Sequence, residues 1–307
     1  MDFSKIKTSH LKNRKSLVSL ENFGQFPPKG ITLAEWLDTL PRILGGQALR
    51  EVAAAVRRAR ALHKPVIVGL GGHVIKCGLG PILIGLMQEG FITAFACNGS
   101  VLVHDFELAF CGSTSEDVDE SLPDGSFGVT EETGAAINQA AKAASARSEG
   151  LGQAMGAWMD ALPLEHPEIS ILLQAWRRHV PFTAHVSLGC DVWHLHPSAD
   201  GAAIGAATFK DFQLFCDNVA ELDGGGVYLN LGSAVVLPEV FLKAVTAVRN
   251  LGHPLKDFTT ANFDFIQHYR PLTNVVRRPV AGVGRGYALT GHHEILVPLL
   301  AALVREG

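Results

Sequence analysis

The sequence lacks any uninterrupted apolar run of about 18 residues, so no segment reads as a membrane-spanning helix. It lacks a basic surplus: the formal net charge is −4, which leaves no positive field to draw nucleic acid. It also lacks paired cysteines. Cys77, Cys97, Cys111, Cys190 and Cys216 are scattered with no CxxC spacing and read as reduced, mostly buried thiols. The opening segment, MDFSKIKTSHLKNRKS, is basic but has no apolar centre. It does not read as a secretory signal, and the cytoplasm is the expected location.

Apolar residues and glycine are abundant. The 307 residues are 47% hydrophobic, enough for one large core or two smaller ones. The 32 glycines point to many tight turns and close backbone approaches. Residues 1–30 form a polar, basic arm that ends in FPPKG, where Pro27, Pro28 and Gly30 mark a boundary. The arm is expected to be solvated or to touch a neighbouring subunit. Residues 31–307 read as a single α/β domain of nucleotide-binding type.

Within that domain, short apolar runs alternate with helical patterns. Strands are expected at 65–70, 91–99, 182–189, 226–232, 258–263 and 286–290. Helices are expected at 46–62, 78–90, 101–110, 130–148, 151–160, 167–179, 209–222, 237–252 and 292–304. Thr32 and Glu35 have the spacing of a capping box at the start of another helix. The acidic, turn-rich segment 112–128 reads as an exposed loop with at most a short helical turn. This alternation predicts a doubly wound, mostly parallel sheet with helices on both faces, a Rossmann-like α/β fold. Ligands of such sheets bind beyond the carboxyl ends of the strands. Polar residues follow the predicted strands: Gly71-Gly72-His73, Asn98-Gly99-Ser100 with His104-Asp105, Asp191 with His194, His196, Asp200 and Gly201, then Gly232-Ser233, and Gly291-His292-His293-Glu294. One edge of the sheet is therefore the expected site of a small-molecule substrate.

The order and spacing of several stretches resemble the deoxyhypusine synthase family over roughly residues 65–305. They are GGHVIKCGLGPILIGLMQEGFITAFACNG, SADGAAIG, GVYLNLGSAVVLPEVF, FTTANF and YALTGHHEILVPLLAALV. Members of that family bind NAD, oxidise spermidine and pass its aminobutyl group through a lysine imine to a protein lysine. They are tetramers with sites at subunit interfaces. The resemblance implies a homo-oligomer in which Gly72, His73, Asp105, Asp200, Gly232, Thr260, Ala261 and His292 face NAD. Gly201 and Ser233 join that set as neighbours at the strand ends. The family's catalytic lysine has no counterpart in RPLTNVVRRPV, where Arg277, Arg278 and Pro279 stand instead; the lysine nearest in sequence is Lys256. The family's KHH is here Leu237-Pro238-Glu239, and its acidic residue near the last helix is His292. Without a nucleophilic amine the imine step lacks a carrier. An authentic deoxyhypusine synthase is not expected.

The residues also admit other chemistry. His104 beside Asp105 reads as an acid–base pair, or as a carboxylate orienting an imidazole. His194-x-His196, if extended, would point both rings to one side. With His292 these could bind a divalent metal such as zinc, whose catalytic sites use three protein ligands and one open position. His194 and His196 are alternatively proton carriers. Asp200-Gly201 reads either as a helix-entry turn or as a carboxylate aimed at a ribose hydroxyl or substrate amine. The expected function is thus a NAD-binding enzyme acting on a small amine-like substrate. The alternatives are a metal-dependent hydrolase or lyase and a non-catalytic ligand-binding relative.

Overall fold

In a computed structural model that describes residues 1–307, six parallel strands form one sheet in the order β3-β2-β1-β4-β5-β6. The strands are β1 (Val66–Leu70), β2 (Ala94–Asn98), β3 (Phe182–His185), β4 (Val227–Leu231), β5 (Thr259–Asp264) and β6 (Arg285–Thr290). The expected sheet was mostly parallel; every neighbouring pair is parallel. The order reverses direction between β1 and β4. That is the switch point at which doubly wound sheets open a crevice.

The helices follow from caps and apolar faces. Thr32 accepts from the Glu35 amide and Glu35 reaches back to Thr32, so α1 (Leu33–Thr39) starts with the predicted capping box. Next come α2 (Leu44–Ala61), α3 (Gly72–Lys76), α4 (Gly80–Gln88), α5 (Gly99–Cys111), the single turn α6 (Val118–Ser121), α7 (Glu131–Arg147) and α8 (Leu151–Asp160). The second half holds α9 (Ile171–Arg177), α10 (Gly201–Ala220), α11 (Val236–Asn250), the short α12 (Tyr269–Pro271) and α13 (His293–Glu306). A π-helical turn, Leu272–Arg277, follows α12. The strand expected to run to residue 189 stops at His185, and Gly189 turns with φ +86°. No helix is long and apolar enough to cross a membrane.

Period-two alternation assigns strand residues to two cores. Val66, Val68 and Leu70 face a large core with α2, α4, α5, α7, α8, α9 and α13. Ile67, Ala94, Ala96 and Tyr228 face a smaller one with α10 and α11. Tyr228 stacks on Phe241 at 3.9 Å between centroids. Its hydroxyl sits where a Cβ on Gly69 would lie, so a glycine in β1 makes room for an aromatic in β4. Of the cysteines, Cys97 is buried, Cys77 and Cys216 are half-buried, and Cys111 and Cys190 are exposed, so the thiols are less buried than expected.

Candidate active site

Because every strand runs the same way, the turns after them share one edge. The turns after β1 and β4 meet there. The Gly71 amide donates to the Leu231 carbonyl at 2.9 Å. A Cβ on Gly71 would lie 2.1 Å from the Gly232 oxygen, and one on Gly72 would lie 2.5 Å from Ser100 Oγ. Glycine is thus required by close approach at both positions.

Beside this junction, over the ends of β1, β2 and β3, opens a cavity of about 440 Å³. That is the size of a small-molecule site. Its wall includes Lys76 from α3, Ser100, His104 and Glu107 from α5, Thr114 and Glu116 from the loop after α5, Thr133 from α7, and Asp191 with Trp193 from the loop after β3. His104 and Glu107 are one turn apart on α5 and share a face. Gly112 ends that helix in the left-handed conformation (φ +74°) and turns the chain back. This brings Thr114 over the helix, 2.8 Å from His104 Nδ1. Thr114 donates to Glu107 Oε2, and Thr133 donates to Glu107 Oε1 at 3.0 Å. Burial, with the Lys76 charge, pulls His104 down to about 4, so its imidazole is neutral near pH 7. Burial pushes Asp191 up to about 6. The Asp191 carboxylate packs against Gly99, the first residue of α5, where a Cβ would overlap it. The cavity therefore holds a neutral base and a carboxyl group that titrates close to physiological pH.

The other expected site residues are placed as follows. Asp105 does not pair with His104. Adjacent helical residues diverge, and Asp105 is buried on the far side of α5. There it accepts from Ser170 Oγ, from the Ile171 amide at 2.8 Å and from the Leu172 amide at 3.3 Å, capping α9. Asp200 caps α10, accepting from the Ala202 and Ala203 amides at 2.9 and 3.1 Å, and Gly201 is the first residue of that helix. Thr260 and Ala261 lie in the first half of β5, away from its carboxyl end, and Thr260 Oγ1 donates to the Val275 carbonyl. Ser233 Oγ accepts from the Leu237 amide, and Gly232 turns with φ +65°. His292 precedes α13 and stacks on Phe265, while His73 is exposed on α3.

The metal expectation is not supported. No three His, Cys, Asp or Glu side chains gather closely enough to hold an ion. His194 and His196 lie in and just after a 3-10 turn, Val192–Leu195, not in an extended segment, so the two-residue alternation does not apply. His194 Nδ1 accepts from the Gly189 amide and its ring packs on Trp193. His196 Nδ1 meets Ser198 Oγ at 2.7 Å and its Nε2 lies 3.5 Å from Glu131. Of the stretch 191–205, it is Asp191, Val192 and Trp193 that reach the cavity. The arginines at 270–278 serve local structure: Arg270 pairs with Glu239, and Arg277 and Arg278 bond Thr273 and Asn274. The lysine that lines the cavity is Lys76.

No family model matches the chain, and no curated protein matches it. Solved structures do. A chain from Entamoeba histolytica, provisionally named a deoxyhypusine synthase, superposes with a TM-score of 0.51 at 11% identity, over 91% of this chain and 95% of that one. The fold is deoxyhypusine synthase-like. ArgZ, an arginine dihydrolase of the cyanobacterial ornithine–ammonia cycle, superposes with a TM-score of 0.50 at 16% identity, over 86% of this chain. The complex of AgrE with ornithine and NAD⁺ superposes with a TM-score of 0.51 at 16% identity, over 84% of this chain. This chain spans about a third of the length of each, 33% of ArgZ and 32% of AgrE. At such identities the likeness is one of fold.

Proposed function

We propose that the chain is an enzyme that binds NAD at the β1/β4 switch point and acts on a small amine-like substrate in the cavity beside it. The observation that carries this reading is the neighbourhood of Gly72. It belongs to the switch-point turn, and a Cβ added there would run into Ser100 and His104 of the cavity wall. A cofactor along that turn and a substrate in the cavity would therefore lie side by side. The comparison adds support: AgrE, of similar fold, was solved with ornithine and NAD⁺.

The residues at the switch point fit a dinucleotide. No side chain caps the start of α3, which leaves the amides after Gly71 to a ligand. His293 lies beside Gly232 through Nε2, which donates to the Phe263 carbonyl at 3.1 Å, and its buried Nδ1 is left without a partner. A buried acceptor of this kind calls for a donor such as a hydroxyl or an amide. Gly72, His73, Gly232 and His293 would hold the cofactor, with Ser233 fixing the turn beneath it. Asp191, seated on Gly99, keeps anionic groups away from the start of α5 when ionised. Bound NAD supplies a hydride acceptor. The chain supplies His104 as proton acceptor, and Glu107, Glu116 and Asp191 as carboxylates that favour a cationic substrate. Homo-oligomer formation belongs to the same reading; the expected arm, residues 1–30, carries exposed Phe3, Leu17, Leu20 and Phe26.

Calorimetric titration of the full chain with NAD⁺ tests the proposal. Saturable binding is expected, weakened at least tenfold by Gly72→Val. Absence of binding at millimolar NAD⁺ would overturn it.

A further inference from the structure

A proton count around Glu107 assigns a tautomer. As a carboxylate Glu107 accepts and cannot donate. Thr133 donates to one of its oxygens and Thr114 to the other. A threonine hydroxyl has one proton, and that of Thr114 is committed to Glu107. The contact between Thr114 Oγ1 and His104 Nδ1, 2.8 Å long, must then be donated by the imidazole. A neutral ring with its proton on Nδ1 carries a lone pair on Nε2. Nε2 has no hydrogen-bond partner within the protein, and His104 lines the cavity. Free imidazole side chains prefer the opposite tautomer, so the surroundings must impose this one.

We propose that Thr114 and Glu107 are positioning residues that hold His104 as its Nδ1–H tautomer, making Nε2 the proton acceptor of the cavity. In the step this allows, a substrate N–H or O–H proton moves to Nε2 and the electron pair stays on the substrate atom. The ring becomes an imidazolium whose Nδ1–H remains on Thr114. The positive charge then lies 4.0 Å from Glu107 Oε2 and is stabilised through the intervening hydroxyl. The arrangement has the logic of a base oriented by a third group, with a hydroxyl inserted between carboxylate and ring. Burial keeps the resting ring neutral, and the Lys76 charge of α3 opposes its protonation further. Glu107, Glu116 of the loop and Asp191 are the acidic groups of the same wall.

Thr114 stands two residues beyond Gly112, in the acidic loop that covers the cavity. The relay is complete only when that loop is seated. Glu116 helps to seat it by accepting from the Gly128 amide at 2.8 Å. The seated loop is thus part of the geometry that orients the base.

This inference rests on the cavity being the reaction site, but its test needs neither NAD nor substrate, so the two proposals fail separately. Long-range ¹⁵N–¹H correlation spectra of the histidine-labelled full chain distinguish the tautomers, and His104→Gln identifies the signal. The wild type is expected to show protonated Nδ1 and unprotonated Nε2 at pH 7. Thr114→Val should shift His104 to the Nε2–H form or to a mixture, and Thr114→Ser should restore the wild-type pattern. An Nε2–H ring in the wild type overturns the proposal, as does a Thr114→Val spectrum unchanged from wild type. If Thr114→Val fails to fold, the wild-type and Thr114→Ser spectra still decide: both must show Nδ1–H.

Discussion

The carboxyl edge of the sheet has two unlike halves. Over β4, β5 and β6, His73, His292 and His293 gather around Phe265, with ring centroids 5.7 to 6.4 Å apart. Rings pack on rings there, and one imidazole holds a main-chain carbonyl. Over β1, β2 and β3 a single imidazole stands in an open cavity, tied through a hydroxyl to a carboxylate. The cluster of three histidines packs ring on ring; the cavity, with one histidine in its wall, carries the acid–base geometry. A count of histidines therefore says little about chemistry. What marks the site is an accounting of where each proton goes.

The halves are joined at Gly71, and breaking that joint should have the largest effect. Gly71→Ala would press a methyl group into the Gly232 carbonyl. A loss of roughly 3–5 kcal/mol is expected, in the range of severe backbone conflicts. Urea unfolding measures it, and a loss below about 1 kcal/mol would mean that the two halves adjust independently. The next contrast lies within α5. Asp105→Ala leaves the Ile171 and Leu172 amides buried without an acceptor and should cost about 2–3 kcal/mol. Glu107→Gln, two residues on, should cost less than about 1 kcal/mol, because its partners are part-buried hydroxyls. Equal losses would argue that α5 has no separate structural and chemical faces.

Most of the fold was legible because its signals are local. β1, β2 and β4 are short apolar runs, α8 begins and ends where its apolar pattern does, and the Thr32–Glu35 capping box needs four residues. The exception is α10. Its first two turns, Gly201–Thr208, hold Ile204 as their one large apolar residue, and its cap, Asp200, reads equally well as a ligand. The site was legible only as an edge. His104 and Glu107 have an i, i+3 spacing that any helical reading contains, yet the sequence sets Asp105, not Glu107, beside His104. Helical geometry turns each residue about 100° from the last, so the adjacent pair was the wrong pair. Thr114 was hidden for another reason. Only the left-handed turn at Gly112 folds the loop back onto its own helix. The His194-x-His196 expectation failed because it assumed an extended chain where a 3-10 turn forms.

Two carboxyls, one buried and one half-buried, sharpen the comparison through pH. Asp211 on α10 accepts from the Gly152 and Ala184 amides, both at 2.9 Å, while its second oxygen is unpartnered; burial raises it to about 7. A raised folded-state value means that the native protein holds the proton more tightly than the unfolded chain. Stability from this group is therefore fully present below about pH 4 and is lost as pH rises to about 7. Chemical unfolding between pH 5 and pH 8 should show the wild type losing a few kcal/mol with rising pH. Asp211→Asn should flatten that slope. Asp191 faces the cavity, and its value of about 6 gives the same sign over a narrower window. If Asp191→Asn flattens the profile more than Asp211→Asn does, burial at the site outweighs burial in the scaffold.

The smallest effect is expected in the histidine cluster around Phe265 and tests whether its members are alike. The His292 side chain is 68% exposed, lies flat on Phe265 and sits 3.8 Å from Glu294. An exposed pair of this kind contributes little, so His292→Ala should change stability by less than about 0.5 kcal/mol. His293, the next residue, is 1% exposed and holds the Phe263 carbonyl, so His293→Ala should cost about 2 kcal/mol. The two substitutions differ by one position and remove the same atoms. A difference near that size shows that the His293 ring supports the scaffold as well as the turn at Gly232, and leaves His292 free at the rim. Equal costs would show instead that the ring cluster acts as one unit, and that the contrast between the halves of the edge is one of shape more than of role.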